Sequence, residues 1–251
     1  MKLLIYAIVS VKDAPGTLNS LLTGMKGTSG MPLYSVPFNE VSVVVSNINS
    51  EGLNASQTDA IGYAGLIETL AQKFTLLPMR FGSVMGSTQE IADMLGKNMN
   101  EILRNLEKVE DKFEFGLKIF CDSEKVRAGL KAKSAASAKL IDKPAPEIKH
   151  SVYLDYVNQK LKEHRLEELL MAYVDSVIAE IKGTLARLNS IDKFRKTGAE
   201  KNIIDAVFLL DKNKKAELIK VVEGFKKQYP ELDFILTGPW PPYSFIDITI
   251  K

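Results

Sequence analysis

The order of elements along this chain predicts an α+β fold in two domains, residues 1–109 and 110–251, with helices packed on mainly antiparallel sheets. Three observations carry that prediction. Strand-length apolar runs alternate with amphipathic helical segments, as β-β-β-α-β-α and then as β-α-β-α-β-β. Two helical segments open on capping boxes, Ser56-Gln57-Thr58-Asp59 and Ser87-Thr88-Gln89-Glu90, where a serine oxygen can take up orphan N–H groups. Near the C-terminus, Gly238-Pro239-Trp240-Pro241-Pro242-Tyr243-Ser244-Phe245 reads as a rigid corner between two strand-like runs.

In chain order, Met1 to Val9 is apolar but short. No small-residue cleavage site follows it, so it reads as a first strand and not a secretory leader. Asp13 to Pro32, rich in Gly, Thr and Ser, reads as a loop. Leu33 to Phe38 and Val41 to Ile48 are β-branched and aromatic, the pattern of paired strands. Ile61, Leu66, Ile67 and Leu70 follow the first capping box at helical spacing, to about Phe74. Thr75 to Met85 is extended, interrupted by Pro78, and the second capping box opens a helix through Leu106.

The second domain starts on the alternating strand Lys112 to Phe120. Ser123 to Lys149 carries seven Lys/Arg against three Asp/Glu in a low-complexity stretch, which reads as solvated surface. From about 151 to 189 a helical stripe of Leu166, Leu170, Tyr173, Val177, Ile181, Leu185 and Leu188 is built to bury one face. A helix of that length would run about 55–60 Å, so it either breaks near His164-Arg165 or projects in part. Ile203 to Leu210 is a strand and Asn213 to Tyr229 a helix. Leu232 to Leu236 and Phe245 to Ile250 are strands flanking the corner.

Composition excludes several function classes. With 45% hydrophobic and 25% charged residues the chain has the make-up of a soluble globular protein. A net charge of +2 gives no broad footprint for nucleic acid or an anionic membrane, and no run approaches the roughly 18–20 apolar residues that span a bilayer. The single cysteine, Cys121, forbids an intrachain disulfide. His150 and His164 have no second histidine or cysteine at ligand spacing, so no metal centre is expected. There is no phosphate-binding loop, dinucleotide fingerprint or nucleophile elbow, so neither catalysis nor a cofactor is expected.

Two patterns remain. In Leu77-Pro78-Met79-Arg80-Phe81-Gly82 an arginine stands between apolar residues. Arg80 either grips a carboxylate of a ligand or partner, or pairs within its own domain while Met79 and Phe81 line the core. In the C-terminal corner, Pro239, Pro241 and Pro242 fix φ, and Gly238 permits a turn closed to other residues. Trp240 and Tyr243 are held there as either an internal brace or a partner-facing hot spot.

Leu76-Leu77-Pro78-Met79-Arg80-Phe81-Gly82-Ser83-Val84 and the strand Lys112-Phe113-Glu114-Phe115-Gly116-Leu117-Lys118 resemble blocks of the gas vesicle protein F/L family. So do Ala206-Val207-Phe208-Leu209-Leu210-Asp211-Lys212 and Leu236-Thr237-Gly238-Pro239-Trp240-Pro241-Pro242-Tyr243-Ser244-Phe245, in the same order. There are departures. Tyr63-Ala64 stands where the family often has His-Ala, and Lys149-His150-Ser151 precedes Tyr153-Leu154 where it often has Gly.

The resemblance implies a modified ferredoxin-like N-terminal domain and a C-terminal α+β domain, a ferredoxin-like variant, with the long helix added. It implies a non-enzymatic accessory or minor structural protein of the cytoplasm, associated with gas vesicles, that binds the hydrophobic shell protein A. Pro78, Arg80, Phe81, Gly82, Gly238, Pro239, Trp240, Pro241, Pro242 and Tyr243 are the structural or interface candidates carried by the matched blocks. A small-molecule-binding regulatory module or enzyme is the alternative, with Arg80 as its first anion-binding residue. An RNA-binding sheet lacks its aromatic-glycine signature here.

Overall fold

The structure, a computed structural model, describes residues 2–12, 15–48, 56–121, 125, 152–188, 190–196 and 202–246. The chain forms two compact units, one of Met1–Glu114 with Gly238–Lys251, the other of Phe115–Thr237. Helix and strand alternate in both, as the α+β reading requires. The grouping departs from the expected 1–109 and 110–251 partition at its C-terminal end. Residues after Thr237 belong with the first unit because Lys108 and Glu114 bond to Phe245 and Ser244.

The first unit runs β1 (Leu3–Ser10), α1 (Pro15–Leu22), β2 (Leu33–Phe38), β3 (Val41–Asn47), α2 (Gln57–Lys73), β4 (Leu76–Pro78), β5 (Val84–Met85) and α3 (Thr88–Val109). Its sheet has the order β2-β3-β1-β4, with β5 also on β1, and every pairing is antiparallel. Leu3 through Val9 of β1 and Val41 through Ser46 of β3 are buried at every position, so both faces of the sheet are covered. Leu4, Tyr6 and Val9 cluster with Leu18 and Leu22 of α1 and with Tyr63, Ile67 and Leu70 of α2. Ile8 of β1 lines a cavity together with Met94 and Ile102 of α3.

Both capping boxes form. Ser56 Oγ accepts from Asp59 N at 3.0 Å, and Ser87 Oγ accepts from Glu90 N at 3.2 Å. Helix α1 lies inside the stretch expected to be a loop. Pro15 is preorganised for a first helical turn, and Leu18 and Leu22, one turn apart, are both buried.

The second unit contains most of β6 (Lys112–Cys121), then α4 (Val152–Ala186), β7 (Ile191–Lys196), β8 (Asn202–Asp211), α5 (Lys215–Gln228) and most of β9 (Leu232–Trp240), with sheet order β7-β8-β6-β9. Strand β7 is an addition to the expected elements. It pairs antiparallel with β8 from Ile191↔Leu209 to Lys196↔Ile204. Its Asp, Lys and Arg content hides it from an apolar-pattern search and suits a sheet edge.

Helix α4 runs unbroken for 35 residues, about 52 Å. Val174, Val177, Ile181 and Leu185 are its buried stripe, while the side chains of Leu166 and Leu170 lie outside the described residues. The low-complexity stretch (apart from Lys125) and His150 also lie outside them, as does the strand expected from Phe245 to Ile250 beyond Ile246, while Phe245 itself closes a 3-10 turn. Among the described residues, no helix is long and apolar enough to cross a membrane.

Helices α4 and α5 share a polar rim. Tyr229 Oη donates to Glu180, and Tyr173 Oη donates to Glu231. Burial, and then the bond to Glu180, push Tyr229 up to about 12, while the same bond holds the Glu180 carboxyl below its usual range. The neutral phenol is thus the favoured folded form. Its contribution is complete below pH 10, the unfolded value, and is lost as pH rises through 12. Chemical denaturation from pH 9 to 12 checks this: Tyr229→Phe should lose stability less steeply than the parent across that window.

Candidate functional site

The Leu77–Gly82 motif leaves the sheet at the end of β4 and turns back into β5. Gly82 sits in that turn at φ 90°, a region that penalises any side chain. Met79 N donates to Tyr6 O at 2.9 Å, and Ser83 N donates to Arg80 O at 3.0 Å. From α2, the Tyr63 hydroxyl lies 2.8 Å from Ile5 O, 3.0 Å from Met79 O and 3.3 Å from Arg80 O. Its one proton therefore serves both the central strand and the motif. The Tyr63 ring stacks on Tyr6 at 4.9 Å and meets Phe81 edge-on at 5.2 Å. Burial, with the Tyr243 and Tyr6 phenols as lesser causes, pushes Tyr63 far up, so it stays a neutral donor. Phe81 is thus a structural wedge, half-buried against the first core.

The C-terminal motif reaches the same region. Strand β9 continues through Gly238 (φ 107°) and the cis Gly238–Pro239 bond to Trp240, so the ladder runs further into the motif than its prolines suggest. Pro241 and Pro242 are buried, and Tyr243–Phe245 makes one 3-10 turn. Ser244 N and Ser244 Oγ each donate to the buried Glu114 carboxylate at 2.7 Å, on its two oxygens. Lys108 Nζ donates to Phe245 O at 2.9 Å, and the Phe245 ring is 0% exposed. The brace of this corner is therefore Phe245. Trp240 and Tyr243 remain 42% and 43% exposed.

A cavity of about 510 Å³ lies where the motifs meet. Ile8, Leu77, Met94 and Ile102 form its apolar floor. Pro78, Met79, Arg80, Ser83, Tyr243 and Ile246 complete its lining. Burial, followed by the carboxylates of Glu68 and Glu114, pushes the Tyr243 phenol up to about 12, so it too is neutral at ordinary pH. Arg80 is exposed, and among the described residues its guanidinium has no hydrogen-bond or ion-pair partner. Of the two readings of Arg80, internal pairing is the one the geometry disfavours.

The cavity thus joins Pro78, Arg80 and Tyr243 from the sequence candidates. Gly82 shapes a turn, Gly238 holds a positive φ within β9, Phe81 packs inward, and Pro239, Trp240, Pro241 and Pro242 are not among the lining residues. Ser83, Met94, Glu114 and Ser244 are not site candidates from sequence, whereas Met79 enters there only as a core-lining neighbour of Arg80 and Tyr63 only as a departure from the family pattern. Glu114 carried a readable signal, a carboxylate flanked by two phenylalanines near the start of a strand. Elsewhere, His164 makes an exposed contact with Glu168 at 3.4 Å. No group of three or more His, Cys, Asp or Glu suited to a metal ion occurs among the described residues.

Because Trp240 is half exposed, Trp240→Ala should cost only about 1–2 kcal/mol, against about 3–5 for a fully buried aromatic. A urea titration checks this, and a loss in the higher range would make Trp240 the brace.

The family described as "Gas vesicle synthesis protein GvpL/GvpF" matches residues 2–247. Gas vesicle protein L of Streptomyces sp. (strain CB03234) is 22% identical over 221 residues, covering 85% of this chain and 78% of that protein. Gas vesicle protein F1 of Halobacterium salinarum is 20% identical over 249 residues, covering 98% and 92%. In fold, the chain is similar to the crystal structure of GvpF from Anabaena sp. PCC7120, with TM-score 0.79, 21% identity and 99% of each chain covered. It is also similar to that of GvpF from Microcystis aeruginosa, with TM-score 0.72, 19% identity, and 98% of this chain and 99% of that one covered.

Proposed function

Because this chain belongs to the gas vesicle synthesis protein GvpL/GvpF family, with a role in gas vesicle formation, we propose that it acts as a non-enzymatic assembly factor or minor structural component that binds the hydrophobic shell protein A. The family match across residues 2–247 is the observation that carries this reading. A subunit with exposed apolar surface aggregates unless something covers it. The first unit offers a means: an apolar cavity beside an exposed arginine, with exposed tryptophan and tyrosine in the same C-terminal segment. Exposed Trp, Tyr and Arg are the side chains that dominate binding energy at protein interfaces.

The finer fold reading is that both units are ferredoxin-like variants. It draws support from βαββαβ connectivity in each, with strand orders β4-β1-β3-β2 and β9-β6-β8-β7. The reading places the protein with gas vesicles in the cytoplasm.

Co-expression of the tagged chain with shell protein A tests the binding claim. Shell protein A should be recovered in the soluble fraction on the tagged chain. Its remaining wholly in the pellet, together with intact vesicles in a deletion strain, would contradict the proposal.

A further inference from the structure

We propose that the cavity between the two motifs is an anchor site for a partner polypeptide, receiving a large apolar side chain whose neighbouring Asp or Glu pairs with Arg80. This rests on the reading of the chain as a protein-binding assembly factor and assigns the contact to one place.

Three observations converge on it. The volume, about 510 Å³, is within the range of about 300–1,000 Å³ that binds drug-sized apolar groups. The floor is apolar, with Ile8, Leu77, Met94 and Ile102 each at most 5% exposed, so the occupant's buried part must be apolar. Met79, just after β4, and Met94, on α3, both line this space, and their unbranched thioethers adapt to side chains of different shape.

The charge pattern selects the rest of the occupant. Arg80 lines the cavity, is exposed, and among the described residues has no counter-ion. A guanidinium presents paired donors that match a carboxylate edge-on. The acids nearest Tyr243, Glu68 and Glu114, act on its phenol, and Glu114 is already held by Ser244. A second carboxylate would therefore be disfavoured beside Glu68 and Glu114 and favoured at the Arg80 guanidinium.

The experiment has two arms on the full chain. In the first, 4-phenylbutyrate serves as a soluble fragment, an apolar ring tethered to a carboxylate, with 4-phenylbutan-1-ol as its uncharged control. Methyl NMR of the methionines reads binding. The expected result is shifts at Met79 and Met94, with the acid bound about tenfold tighter than the alcohol, a preference that Arg80→Ala removes. No shift at either methionine, or a preference unchanged in Arg80→Ala, would overturn the site.

In the second arm, Arg80→Glu and Ser83→Trp, each with its melting temperature checked, are compared with the parent in capturing co-expressed shell protein A. Both should lose most of the capture while staying folded. If the parent captures shell protein A and both folded variants match it, the anchor is refuted and the functional reading survives. If the parent captures nothing, the functional reading fails. The polypeptide anchor then falls with it, leaving fragment binding as a small-molecule site. Should Ser83→Trp not fold, Arg80→Glu together with the fragment arm decides the matter.

Discussion

Replacing Phe245 by alanine is expected to lower the stability of the first unit by about 3–5 kcal/mol, the range for a fully buried aromatic truncated in a packed core. The ring is 0% exposed and, among the described residues of the C-terminal segment, is the one large side chain that is wholly enclosed. Its backbone is fixed at the same time, through Lys108 Nζ to Phe245 O and through Ser244 to Glu114. Removing the ring leaves those polar contacts to hold a segment whose apolar anchor is gone. Urea denaturation should show a lower midpoint, and the fluorescence of Trp240, the single tryptophan, should report early release of the segment. A loss under about 1 kcal/mol would mean that the polar clasp alone seats residues 243–246.

Gly27→Ala is the second large effect, expected at about 3 kcal/mol, from overpacking joined to a broken hydrogen bond. A β-carbon on Gly27 would stand 2.4 Å from the Tyr6 hydroxyl and 2.9 Å from Leu33 Cδ2. Tyr6 cannot yield, because its ring is 0% exposed and stacked on Tyr63. Its hydroxyl also accepts from Thr28 N at 2.8 Å and bonds Ser46 Oγ at 3.0 Å. The disturbance should pass through Tyr63 to the Met79–Arg80 backbone it supports. Calorimetry gives the stability change. Weakened 4-phenylbutyrate binding in a variant that still folds would show the link to the cavity.

Much of this architecture was readable from residue patterns, because apolar periodicity and capping chemistry act locally. Ser56 and Ser87 cap the helices they announce, and the hairpin of β2 and β3 turns at Asn39, whose φ of 51° suits asparagine. Helix α1 was hidden because Gly16, Thr17 and Ser20 weaken its propensity, and two leucines buried by tertiary packing outweigh them. Strand β7 was hidden by its charges. Ferredoxin-like topology entered through family resemblance, since strand order is a non-local property that single runs of residues do not encode.

The site was half legible. The two motifs stood out through proline, glycine and an arginine in apolar company, yet nothing in either told of the other. Gly238 to Phe245 reads as the closing corner of its own domain when only chain neighbours are considered. The bond from Ser244 to Glu114 and the burial of Phe245 hold it instead in the first unit, where Tyr243 and Ile246 line the same cavity as the Leu77–Ser83 turn. Trp240, the most conspicuous residue in the sequence, proves less buried than the phenylalanine five positions on. Rarity marks a residue for attention, whereas burial depends on what the distant chain brings to it.

That the two motifs form one partner-capturing surface is tested most directly by hydrogen exchange on the chain alone and on its soluble complex with shell protein A. Protection should rise together over residues 77–83 and 240–246. A complex in which new protection is confined to Phe115–Thr237, with both motif segments exchanging as in the free chain, would contradict it.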